Sequence, residues 1–156
     1  MSRELTRQIE GSAQGREVIL LTDVPARHAA TNSIGQLVAE DPDKNFFPAP
    51  GVIETLNIPG GPGVRFDTGV YPGYTVPPYY DSLLGKLIVW DQTRVGALAR
   101  LVGALDELEI GPGPSTASLH RALVREPDVQ SGAISTLWLE DWLSRKTEKA
   151  TAHKSA

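Results

Sequence analysis

The chain has 156 residues, 40% of them hydrophobic and 22% charged, which is enough for one folded domain and argues against disorder throughout. Fifteen Lys and Arg against nineteen Asp and Glu give a net charge of −4, so neither a nucleic acid nor a membrane is an expected partner. The absence of cysteine excludes disulfides, thiol catalysis and thiolate metal sites, and it fits a cytoplasmic location.

The N-terminal segment, residues 1–37, carries few structural signals. Residues 17–23 form a short apolar run bounded by charged residues, which predicts a buried strand. The next legible stretch is 41–51, a proline-containing loop in which Phe46 and Phe47 are both expected to be buried.

The middle of the chain is predicted to be β-rich, because glycine and proline break helices and favour tight turns. Residues 52–58 and 64–68 alternate apolar and polar side chains, so they are predicted strands around a glycine-rich turn at 59–63. Residues 70–80 contain Pro77 and Pro78 and are expected to be extended near a sheet edge. The apolar stretch 83–90 fits a strand or the packed end of a helix.

The last third is predicted to be helical, with helices near 93–109, 116–126 and 135–144. In the second of these, Pro127 is the expected stop. Residues 144–156 carry four Lys or Arg and one Glu with little apolar surface, which predicts a disordered basic tail. The fold class is therefore α+β, with a small, mainly antiparallel sheet followed by packed helices.

No metal site is predicted. Asp41, Asp43 and Asn45 begin like a calcium loop, but Phe46 stands where the loop needs glycine and no Glu closes it. The histidines, including His120 in a predicted helix, are isolated from one another, and His120 is expected to be exposed or half-buried.

Arg65 is the strongest candidate for a functional side chain, because it directly follows the glycine-rich turn. A guanidinium group offers a rigid fork of donors that matches carboxylate, bicarbonate or an enolate. The alternative is an ordinary ion pair on a sheet face with Asp67 or Asp81. The residue types alone leave both interpretations open.

Two blocks of sequence carry a family resemblance: GGPGVRFD at 60–67 and YPGYTVPPYYDSLLGKLI at 71–88. They resemble the C-terminal domain of biotin carboxylases, the ATP-dependent half of acetyl-, propionyl- and pyruvate-type carboxylases. The resemblance extends over residues 38–143, from the NFFPAPG loop to the helices after Thr93. It implies a barrel-sandwich-like sheet followed by helices.

The resemblance also implies roles for individual residues. In the family, the Arg of Gly-Val-Arg, here Arg65, contacts bicarbonate and the ureido oxygen of biotin and stabilises the biotin enolate, so it is the expected catalytic and biotin-binding residue. Asp81 and Lys86 match positions that look structural and are expected to pair. Arg94 matches a region associated with homodimer contacts.

This sequence departs from the family in two respects. The ATP-grasp domain, with its nucleotide and magnesium ligands, has no counterpart in residues 1–37, and Gly111 and Pro114 replace the family's acid and lysine. The expected function is thus a share in the carboxylation of biotin on a carrier protein, with ATP and Mg bound only by an ATP-grasp partner and no activity alone. The alternative is a non-catalytic or regulatory module that docks on a full-length biotin carboxylase.

Overall fold

The computed structural model describes the backbone of residues 7–13, 16–25, 31–79, 82–135 and 137–154, and the side chains of 35–79, 82–135 and 137–147. Within these ranges the strands are β1 (Arg7–Ala13), β2 (Arg16–Pro25), β3 (Thr31–Val38), β4 (Glu40–Asp41), β5 (Phe47–Pro48), β6 (Gly51–Val52), β7 (Thr55–Asn57), β8 (Val64–Asp67), β9 (Thr75–Val76), β10 (Leu83–Asp91) and β11 (Glu109–Gly111). The helices are α1 (Arg94–Glu107), α2 (Ala117–Leu123), α3 (Pro127–Ser131) and α4 (Trp138–Lys154).

The main sheet is antiparallel, with the strand order β1-β2-β3-β10-β8. β10 lies between β3 and β8, and its side chains Leu87 and Val89 are completely buried while Lys86 faces solvent. This alternation is the period of two expected of a strand with one covered face. Residues 83–90 are therefore a strand, and the predicted α+β class with a mainly antiparallel sheet is confirmed.

Three two-stranded ladders accompany the main sheet: β4 with β5, β6 with β9, and β7 with β11. The predicted strand at 52–58 is thereby split, because Ile53 N–H bonds to the Tyr74 carbonyl whereas Glu54 N–H bonds to the Gly111 carbonyl. Adjacent amides point to opposite sides of an extended chain, so the segment joins two different partners. The described sheets are open-edged and form no closed barrel, in contrast to the barrel-sandwich-like expectation.

Helix α1 covers the buried face of β10 and β3. Its start is capped by Thr93, whose Oγ1 accepts a hydrogen bond from Gly96 N–H at 3.0 Å. Leu101 and Leu105 recur at a four-residue step and are almost fully buried in the common core. The prediction of a helix from residue 93 onward is confirmed, with the end at Glu107.

The remaining helices differ from the expectation. The predicted helix at 116–126 corresponds to α2, which ends earlier, at Leu123, and Pro127, the expected stop, occupies the start of a further short helix, α3. Proline is accommodated there because the first helical amides have no intrahelical acceptor.

The predicted disordered tail from residue 144 is wrong for residues 144–154, because α4 continues to Lys154. Two contacts of Lys146 favour this continuation: its Nζ lies 5.6 Å from the centre of the Trp142 ring and 3.7 Å from Asp43 Oδ1. The first contact joins side chains four residues apart, the spacing that stabilises a helix.

Two burial expectations are also wrong. Phe46 is buried, but Phe47 is 71% exposed, since the left-handed backbone at Asn45 and Phe46 (φ 53° and 56°) turns the two aromatic rings apart. His120 is fully buried, and its Nε2 lies 2.7 Å from the Gln36 carbonyl oxygen. Burial lowers the pKa of His120, with the Gln36 contact opposing that shift.

Candidate functional site

The turn before Arg65 is shaped by glycines. Gly61 and Gly63 have φ values of +118° and +73°, a backbone region that other residues rarely adopt. Val64 N–H bonds to the Gly61 carbonyl at 3.1 Å, and Trp90 N–H bonds to the Gly63 carbonyl at 2.8 Å. The turn thus closes on itself and is also attached to β10.

Arg65 lies on the edge strand β8, opposite Ile88 of β10. Its Nε lies 3.0 Å from Asp67 Oδ1, and its Nη2 donates to Asp67 Oδ2 at 3.1 Å. The Arg65 and Asp67 side chains are 68% and 50% exposed. The fork is therefore held in one orientation by its neighbour while the guanidinium group stays open to solvent.

Lys86 lies directly opposite Asp67 in the ladder between β10 and β8, and it is exposed. A hollow of about 500 Å³ adjoins the pair, lined by 67–70, Tyr74 and 83–86. The predicted partner of Lys86, Asp81, lies outside the described residues, so the Asp81–Lys86 pair stays a prediction.

Arg94, the first residue of α1, is directed at α3. Its Nη2 donates to the Val129 carbonyl at 2.6 Å and its Nε to the Gln130 carbonyl at 3.2 Å. These contacts fix the start of α1 against the last turn of α3. The predicted role of Arg94 in an interface stays a prediction.

Gly111 lies in β11, where it pairs with Thr55. Together with Pro114 it borders a hollow of about 420 Å³ whose lining is mostly apolar and includes Glu54. Glycine supplies no side chain there, so this position offers backbone groups only. This hollow and the one beside Lys86 share Leu84 as a lining residue, and their other lining residues differ.

Sequence reasoning missed the residues that fix the turn in front of Arg65. Arg100 of α1 donates from Nη1 to the Pro62 carbonyl and from Nη2 to Asp91 Oδ2 at 2.6 Å. The signal available in the sequence was Gly96 in the first turn of a helix, an unfavourable residue there unless something packs close to it.

Other kinds of site find no support in the part of the chain that the structure describes. There, no three residues among His, Asp and Glu are grouped so that they could share a metal ion. No described helix is both long enough and apolar enough to cross a membrane.

Comparison with known proteins identifies the architecture. The family model for the biotin carboxylase C-terminal domain matches residues 36–141. A biotin carboxylase from Nostoc sp. is 44% identical over 131 residues, which is 83% of this chain and 29% of that protein. The alpha3 subunit of a biotin-dependent acyl-coenzyme A carboxylase from Mycobacterium leprae is 40% identical over 136 residues, covering 83% and 22% of the two chains.

Solved structures agree with the sequence matches. The biotin carboxylase domain of the Hydrogenobacter thermophilus 2-oxoglutarate carboxylase, a dimer in complex with MgADP and bicarbonate, superposes with a TM-score of 0.70 at 37% identity. The match covers 72% of this chain and 25% of that one. The chain thus spans less than a third of the length of the relatives described here.

Proposed function

We propose, from the premise that the chain belongs to the biotin carboxylase C-terminal domain family, that it contributes Arg65 to the ATP-dependent carboxylation of biotin on a carrier protein. The observation that carries the proposal is the exposed guanidinium group of Arg65, oriented by Asp67 at two points on an edge strand. The carboxylation takes place when the chain is combined with an ATP-grasp domain, and the chain alone is inactive.

The chemistry of Arg65 fits the oxyanions of this reaction. A guanidinium group has five N–H donors, and the described contacts with Asp67 use two of them. The remaining donors are available to bicarbonate or to the ureido oxygen of biotin as it acquires enolate charge. Because Asp67 already fixes the plane of the fork, little reorganisation is needed when that charge develops.

Biotin and bicarbonate would meet this chain at Arg65, next to the hollow beside Lys86. ATP and magnesium supply the activation of bicarbonate, and in our proposal their ligands belong to the ATP-grasp domain. The oxyanion-binding step is the share of the reaction that falls to the residues described here.

The test is complementation. The chain is mixed with the ATP-grasp portion of the Nostoc relative, and biotin-dependent ADP formation is measured with ATP, magnesium and bicarbonate. We expect turnover only from the mixture, a loss of most of it in Arg65→Ala, and little recovery in Arg65→Lys, since lysine lacks the planar fork.

The matched control is Arg125→Ala, which removes another exposed arginine that forms an ion pair, with Asp106 at 2.7 Å on the helical side of the domain. It should retain the turnover of the unmodified mixture. A restored activity that is insensitive to Arg65→Ala would overturn the proposal and leave Arg65 as a framework residue. Turnover by the chain alone would overturn the claim of inactivity.

A second candidate function is supported by the surface around Arg94. Val95 is 77% exposed next to Arg94 at the start of α1, and Trp90 is also exposed. Such a surface fits a non-catalytic module that docks on a full-length biotin carboxylase. Co-sedimentation of the chain with the intact Nostoc relative, lost in Val95→Glu, would support docking, while separate sedimentation at micromolar concentrations would exclude it.

A further inference from the structure

One arginine connects three elements around the turn that precedes Arg65. Arg100 extends from α1, donates from Nη1 to the Pro62 carbonyl, and donates from Nη2 to Asp91 at the end of β10. The Gly63 carbonyl next to this contact accepts Trp90 N–H at 2.8 Å. The turn is therefore fixed from the helix side and from the strand side.

Asp91 is itself tightly placed. Its Oδ1 accepts Gln92 N–H at 2.7 Å, and its Oδ2 lies 2.6 Å from Arg100 Nη2. A Cβ on Gly96 would lie 2.5 Å from Asp91 Oδ1, so the carboxylate reaches this position only because residue 96 has no side chain. The Asp91 and Arg100 side chains are mostly shielded from solvent, at 24% and 32% exposure.

Gly63, like Gly96, leaves space for this ion pair, in this case for the Arg100 side chain. A Cβ there would lie 2.5 Å from the Trp90 carbonyl oxygen and 3.1 Å from Arg100 Nε. That Nε is buried and has no hydrogen-bond partner among the described residues, so the two Nη contacts hold the side chain in place. Two glycines thus accommodate one ion pair.

We propose that Arg100 and Asp91 are positioning residues for Arg65, acting through the glycine turn. The inference rests on the proposed function of Arg65. Arg65 lies two residues after Gly63 on a four-residue strand at the sheet edge. The turn therefore determines the position of the Arg65 Cα and the direction of its side chain. Small displacements of a catalytic group lower the reaction rate by large factors, so residues that hold the turn in place also maintain the rate.

The chain contains a matched comparison for this pair. Arg125 and Asp106 form an ion pair at 2.7 Å between the segment that follows α2 and helix α1, and their side chains are 47% and 50% exposed. The Arg125 Nη1 also donates to a carbonyl, that of Arg121, at 2.7 Å. This pair combines the same groups but touches no part of the turn.

The test measures the turn directly in the full chain, labelled with ¹⁵N, by amide hydrogen exchange. The reporters are the Trp90 amide, which bonds to Gly63, and the Val64 amide, which bonds to Gly61. We expect Arg100→Lys and Asp91→Asn each to speed exchange at both reporters by about tenfold relative to core amides of α1. Arg125→Lys should change that ratio by less than about twofold.

The ratio separates positioning from general stability, because global destabilisation speeds the reporters and the α1 core amides together. The inference is overturned if Arg100→Lys and Asp91→Asn raise the exchange rate of the reporters relative to the α1 core amides no more than Arg125→Lys does. The same holds if all amides accelerate equally.

The complementation assay then tests whether the position of the turn affects the reaction rate. Arg100→Lys should lower turnover at saturating bicarbonate by about tenfold, as expected of a misplaced catalytic group. If Arg65→Ala abolishes turnover but Arg100→Lys retains it, the inference fails and the proposed function stands. If Arg65→Ala leaves turnover intact, the proposed function fails, whatever the exchange data show about the turn.

Discussion

Gly63 and Trp90 meet through their backbones: Trp90 N–H bonds to the Gly63 carbonyl at 2.8 Å, and a Cβ on Gly63 would lie 2.5 Å from the Trp90 carbonyl oxygen. The contact leaves no room for any side chain at position 63. It also joins the turn before Arg65 to β10, the strand that leads into helix α1.

We expect Gly63→Ala to destabilise the protein by about 2 kcal/mol or more, because it combines a left-handed φ with a clash against backbone. The free energy of unfolding is measured by urea titration. Gly60→Ala is the control, since a Cβ there meets nothing within 4 Å, and it should fall within about 0.5 kcal/mol of wild type. Equal values for the two variants would contradict the described turn.

Two glycines of α1 should respond to alanine in opposite directions. Gly96→Ala should be destabilising by about 1 kcal/mol or more, because the new methyl group displaces the Asp91 carboxylate from Arg100. Gly103→Ala, with open space around its Cβ, should be stabilising by about 0.5–1 kcal/mol through helix propensity. Thermal unfolding of both variants checks the signs, and stabilisation by Gly96→Ala would show that the carboxylate is not where we describe it.

Arg65→Ala should cost less than about 1 kcal/mol of stability, because the pair with Asp67 is exposed and screened by solvent. Leu87→Ala, on the neighbouring strand, should cost about 2–5 kcal/mol, since that side chain is completely buried. Urea unfolding of both variants provides the comparison. A loss from Arg65→Ala as large as that from Leu87→Ala would assign Arg65 a structural role.

His120 should make stability dependent on pH. Burial holds the pKa of His120 below its ordinary value of 6.5. Below about pH 6.5, therefore, His120 is protonated in the unfolded chain while it is still neutral in the folded chain. The contribution of His120 to the free energy of unfolding is therefore fully present above pH 6.5. It falls on acidification by at most about 1.4 kcal/mol per pH unit.

The measurement compares urea unfolding of wild type and His120→Gln between pH 7.5 and 5.5. The glutamine amide retains a donor for the Gln36 carbonyl but does not titrate. The wild type should lose more stability than the variant over this range. Parallel curves would mean that His120 is accessible to protons in the folded protein.

Local patterns predicted the elements that bring Arg65 to the site. The alternation at 64–68 and the apolar residues of 83–90 correspond to β8 and β10, and the helix predicted near 93–109 is α1. The signals for β8 and α1 reside in consecutive residues, so the sequence alone was sufficient for them, whereas residues 83–90 were compatible with a strand or the packed end of a helix until the sheet pairing was known.

The contacts that fix the site join distant residues, and no local pattern encodes them. Arg100 reaches Pro62 across 38 positions, and Arg94 reaches Val129 across 35. The burial of His120 depends likewise on Gln36, 84 residues earlier in the chain. Such pairings follow from the topology of the sheet and the packing of α1 on it, which periodicity does not specify.

The order of the strands has a consequence for synthesis of the chain. β3 takes β10 as its neighbour, yet residues 39–82 are made between them. A chain emerging from the ribosome therefore completes β3 well before the strand that covers its free edge exists. During that interval the amide and carbonyl groups along one side of β3 are open to pairing with other nascent chains. Slower growth at low temperature and early access to chaperones should therefore raise the soluble yield, because both give β10 time to close the sheet first.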